Sequence, residues 1–119
     1  MLPIKLQDEL LDKEISFYET RDEDYNEVIF SKRSPLDSSE DGVNLLAWDV
    51  VISKAVSLER IIANVERQYW EFNEENEIAK LREYFNSKED KIKKSEITTE
   101  VTMHRDFLRD LLHILKKHL

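Results

Sequence analysis

Residues 48–72 read WDVVISKAVSLERIIANVERQYWEF. Within them Trp48, Val51, Ala55, Leu58, Ile62, Val65, Tyr69 and Phe72 recur at alternating steps of three and four. A mean step of about 3.5 residues puts all eight on one stripe of a helix. Val56, Ala63 and Trp70 form a second row beside the first, and Ile52 and Ile61 flank the seam. A two-stranded coiled coil needs only the first stripe. The wider apolar arc calls for cover from more than one side, which is the condition of a helix inside a bundle.

The flanking sequence extends this expectation in both directions. Gly42 is the only glycine, and Pro3 and Pro35 are the only prolines, so the last 77 residues contain neither breaker. Helix is the backbone state that best explains such a run, with Asp41 or Asn44 as its cap. The stripe meets Asn76 where an apolar residue is due and resumes out of phase at Ile78, Leu81 and Phe85. That leaves two alternatives, a break between Asn73 and Asn76 or one helix with a shifted stripe. Residues 86–95 are polar and read as a connection, with Ser87 or Ser95 opening the next helix. The final helix is expected over 96–117. It carries Leu108, Leu112, Leu115 and Leu119 in one row and Phe107, Leu111 and Ile114 in the next, with Lys116, Lys117 and His118 completing the dipole at its end.

The first forty residues admit two readings. Ile4, Leu11, Ile15 and Tyr18 fit a helical face with Leu6 and Leu10 beside it, and Tyr25, Val28 and Ile29 suggest a second short helix capped by Asp22. The competing reading pairs residues 15–18 with 28–30 as a β-hairpin. The helical reading is preferred because the intervening Arg21-Asp-Glu-Asp24 offers no glycine for a tight turn. The expected fold is therefore all-α: one domain over 1–119, a small helical bundle built around one long amphipathic helix with an antiparallel C-terminal helix. Its parts are an acidic helical segment at 1–33, a loop at 34–43 and a long helical hairpin at 44–119.

Composition narrows the function. The chain has 18 Lys+Arg against 26 Asp+Glu, a formal charge of −8, and no cysteine. Thiolate metal sites, disulfides and thiol nucleophiles are excluded. A chain-wide nucleic-acid surface is disfavoured, because Lys and Arg must replace the counterions of the phosphates. No glycine-rich phosphate loop and no glycine-flanked nucleophilic serine is present. No run approaches the ~20 apolar residues that span a bilayer, and no secretory leader is visible. The expectation is a cytoplasmic or otherwise intracellular protein without contact to membrane.

Several constellations bear on chemistry. Asp22, Asp24 and Asn26 match the first ligand positions of a calcium loop, but Glu27 and Arg33 stand where the glycine and the bidentate glutamate are needed. His104, Asp106, Asp110 and His113 share the last helix at spacings that allow a metal pair, without an evident third ligand from another element. Lys91, Lys93 and Lys94 form a basic cluster diluted by Glu89, Asp90 and Glu96. No catalytic residue, metal or cofactor is expected. The reading preferred is a non-catalytic protein–protein interaction module: a small acidic subunit, adaptor or inhibitor-type partner of another protein, with self-association also allowed. The alternatives are a helical metal-dependent hydrolase and a dimeric nucleic-acid-associated regulator. Trp70 with Arg67, Glu66 and Glu71 forms one candidate contact patch, since Trp and Arg dominate binding energies. Asp22, Glu23 and Asp24 form the other, an acidic front suited to a basic partner surface; residues 1–42 alone carry a charge of −7.

Overall fold

The computed structural model describes residues 2–22, 25–34, 47–87 and 94–119. Over these the chain is mixed α/β, which overturns the all-α expectation. The order is helix α1 (Ile4–Asp12), strands β1 (Ser16–Asp22), β2 (Tyr25–Arg33) and β3 (Ala47–Ser53), then helices α2 (Leu58–Glu71), α3 (Glu74–Ser87) and α4 (Lys94–Lys117). The strands form one antiparallel sheet in the order β1-β2-β3.

The first correction concerns the N-terminal part. Residues 16–22 and 25–33 pair as the antiparallel strands of a hairpin and not as two helices. Phe17 pairs with Phe30 and Tyr18 with Ile29, and Asp22 opposite Tyr25 closes the ladder. Asp22 therefore ends a strand and caps no helix, while Glu23 and Asp24 lie outside the described residues. Aromatic and β-branched residues favour a pleated surface, and a third strand supplies the cross-strand partners that a lone hairpin lacks. α1 is helical as expected but buries a different face. Leu6 and Leu10 are fully buried, whereas Ile4 and Leu11 are exposed. Leu2 and Ile15, at either end of α1, join the core.

The second correction concerns the long helix. Its start is β3, so the segment 44–119 is not a helical hairpin. Trp48, Val50 and Ile52 are buried while Val51 is exposed, which is the period of two of a half-buried strand. Trp48 and Val51, three apart, fall on opposite faces. The run Val50-Val51-Ile52 favours this outcome, because branching at Cβ restricts χ1 in a helix and packs well on a sheet. In the register Val28 pairs with Ile52 and Phe30 with Val50. Ser57 in extended backbone opens α2, its hydroxyl accepting the Arg60 amide at 3.2 Å. Asp41 and Asn44, expected as caps, lie outside the described residues. From Leu58 onward the stripe holds: Ile62 and Val65 are buried, and Leu58, Tyr69 and Phe72 pack against the core.

α2 ends at Glu71 and α3 begins at Glu74, so the interruption is a break. The Asn73 side chain accepts the Asn76 amide at 3.1 Å and starts the new helix. α4 runs antiparallel to α2, with Lys116 paired to Glu66 and His104 against Phe72. Phe107, Leu108, Leu111, Leu112, Ile114 and Leu115 are all buried, and Leu119 is exposed. Side chains of α1, α2 and α4 join those of the sheet's inner face in a single core. On the outer face Tyr18, Ile29 and Val51 lie in register across the three strands, with Tyr18 and Val51 exposed.

Candidate interaction surface

α2 carries the residues expected to form a contact patch around Trp70. With Ile61, Ile62 and Val65 turned to the core, its opposite face presents Glu59, Arg60, Ala63, Arg67, Trp70 and Glu71 to solvent. Trp70 is 76% exposed, and Val56, just before the helix, is 68% exposed. The row Val56, Ala63 and Trp70, read from sequence as surplus apolar surface, is thus uncovered by the described residues. A large indole left in water is informative, because Trp is usually well buried and is concentrated at interfaces. Among the described residues its only ring contact is an edge-on one with Tyr69, at 6.2 Å between centroids.

The charged neighbours are arranged unevenly. Arg67 donates to Asn64 Oδ1 at 2.8 Å, and Glu66 lies 3.0 Å from Lys116 Nζ. No carboxylate of the described residues pairs with Arg60 or Arg67. In a chain so rich in acid, two guanidinium groups without a carboxylate partner among the described residues stand beside an exposed tryptophan. The structure gathers Glu66, Arg67, Trp70 and Glu71 on this one helix. It places Asp22 on a separate element, the hairpin.

His104, Asp106, Asp110 and His113 do not converge on a metal site. Asp106 lies 3.5 Å from Arg109 and 3.7 Å from Arg105, and Asp110 lies 3.6 Å from Arg109. His104 stacks on Trp48 with centroids 5.7 Å apart, and Phe72 meets it edge-on at 5.0 Å. Burial lowers the His104 pKa, partly opposed by the Glu77 carboxylate. His113 is exposed. Among the described residues no group of three or more His, Cys, Asp or Glu is placed to hold a metal ion. Lys91 and Lys93 lie outside the described residues, and Lys94 opens α4.

A cavity of about 390 Å³ lies where the start of the chain, the hairpin and the β3–α2 connection meet, with Glu19, Asn26, Glu27, Val28, Ser57 and Ile61 among its walls. No spacing in the sequence points to it, since its walls come from segments distant in the chain. Glu19 is already committed there, accepting the Leu2 amide at 2.9 Å. No helix of the described residues is long and apolar enough to cross a membrane. Compared with protein-family models, curated proteins and solved structures, the chain matches none.

Proposed function

We propose that this chain is a non-catalytic protein–protein interaction module, a small acidic subunit, adaptor or inhibitor-type partner that binds through the free face of α2. The observation that carries this reading is the exposure of Trp70 in line with Ala63 and Val56. Burying an indole against a partner removes apolar area from water at about 25 cal/mol per Å², and Arg67 beside it adds directional hydrogen bonds. The acid-rich residues 1–42, including Asp22, Glu23 and Asp24, bias encounter toward a basic partner surface through the long-range field. An intracellular setting accompanies this reading, supported by the lack of cysteine in a chain of this size.

The test is affinity capture at native expression level, comparing the wild-type chain with Trp70→Ala. The wild type is expected to retain a stoichiometric partner, and Trp70→Ala to weaken that capture by roughly 30-fold or more, the cost of losing a central aromatic anchor. Equal capture by both chains removes Trp70 as the anchor and the reading with it.

A further inference from the structure

The exposed face of α2 has a polarity across its width. At 100° per residue, Ala63 and Trp70 occupy the middle of the face. Glu59 and Glu66 fall on one side of that line, and Arg60 and Arg67 fall on the other, with Glu71 beyond them at the C-terminal end of that side. The apolar middle is narrow at Ala63, which lets a second helix approach closely, and bulky at Trp70. From this we infer that the occupant of the α2 face is a second copy of the same chain, its α2 lying parallel to the first about a two-fold axis. The inference rests on the reading of this face as a protein-binding surface and names its partner.

Charge selects both the partner and the direction. In a parallel pair related by a two-fold axis, each side of one helix faces the opposite side of the other. Glu59 then meets Arg60 of the second copy, Glu66 meets its Arg67, and both contacts occur twice. An antiparallel pair sets acid against acid and base against base, and is disfavoured. Arg60 and Arg67, which have no carboxylate partner among the described residues, gain one. Glu66 shares its carboxylate between Lys116 of its own chain and the second copy. Ala63 meets Ala63, and the two Trp70 rings close one end of the contact, each covering the apolar face the other leaves bare. The net charge of −8 on each copy opposes approach. Physiological salt screens that term beyond about 8 Å, whereas the paired flanks lie in contact. A single pair of four-turn helices is a small interface, so the dimer forms with modest affinity.

Sedimentation equilibrium of the full chain over micromolar to millimolar concentrations tests this. The wild type is expected to show a monomer–dimer equilibrium. Glu59→Arg and Arg60→Glu each set like charges against each other at two symmetric places, and each is expected to weaken the dimer about tenfold. The two changes together exchange the sides and are expected to restore it. Circular dichroism of each variant establishes that the fold is retained. A wild type that stays monomeric throughout, or a double variant no tighter than the single ones, overturns the proposal. A monomer that still captures a different protein through Trp70 overturns self-pairing alone, and a monomer that captures nothing overturns the interaction reading as well.

Discussion

Trp48 of β3 and His104 of α4 stack with their rings 10° from parallel, and through this contact the last helix is seated on the inner face of the sheet. Phe107 stacks on the other reach of the same indole at 5.9 Å, and Phe72 closes over the imidazole from the α2–α3 junction. The histidine is thus a packing element held among aromatic rings, and its burial favours the neutral form.

A dependence of stability on pH follows from that site. Burial holds the folded-state pKa of His104 below the ordinary 6.5, against the opposing pull of Glu77. As pH falls, the unfolded chain takes up the proton first. The stability that the neutral ring contributes is complete above the unfolded value and is lost as pH drops toward the lowered folded one. Urea midpoints measured from about pH 8 down to about pH 5 should decline below the ordinary histidine value. His104→Phe, which keeps an aromatic ring in the stack, should flatten that decline; an unchanged slope would assign it to other groups.

Ser34, just past β2, donates its hydroxyl hydrogen to the Glu100 carboxylate of α4, and both residues are buried. Ser34→Ala removes a hydrogen bond to a charged group where little water can replace it, and is expected to cost about 1–3 kcal/mol. Chemical denaturation should show this loss, with Ser34→Thr, which retains the hydroxyl, recovering part of it.

Among the described residues two non-glycine positions have left-handed backbone, Glu14 at φ 60° and Lys54 at φ 55°. Glu14 ends α1 in a Schellman arrangement, the Ile15 amide donating to the Leu10 carbonyl at 2.8 Å and the Glu14 amide to that of Leu11 at 2.9 Å. A side chain costs about 1 kcal/mol in this region, where glycine has no such penalty. Glu14→Gly and Lys54→Gly should each raise stability by about 0.5–1 kcal/mol, read as a higher melting temperature. A lower one would show that the side chain itself contributes more than the backbone relief.

Leu111 and Trp70 separate packing from contact. Leu111 is fully enclosed, and Leu111→Ala should destabilise the fold by about 2–5 kcal/mol through the cavity it leaves. Trp70→Ala removes a larger side chain yet should shift the monomer's stability by no more than about 0.5 kcal/mol, because the ring is mostly in water. A large loss of monomer stability on Trp70→Ala would place that ring in the core after all.

The periodic rows of α4 were legible from spacing alone, since Phe107, Leu108, Leu111, Leu112, Ile114 and Leu115 are all buried. So was the half of the central stripe from Leu58 to Phe72, together with the interruption that Asn73 turns into a new helix start. Local sequence determined these features because a helix closes its own hydrogen bonds, and its burial pattern is written within a few turns. The strands were not decided locally. Trp48 to Ile52 satisfies a helical spacing and an alternating one equally well. Only the pairing of Val50 with Phe30, and of Phe30 with Phe17, selects between them. The left-handed positions at Glu14 and Lys54 gave no warning either, because the glycine that ordinarily marks such turns is absent. Tertiary structure likewise decided which surplus apolar row stays in water. With β3 and α4 covering one side of α2, the burial of Ile62 and Val65 and the exposure of Trp70 are two consequences of a single packing.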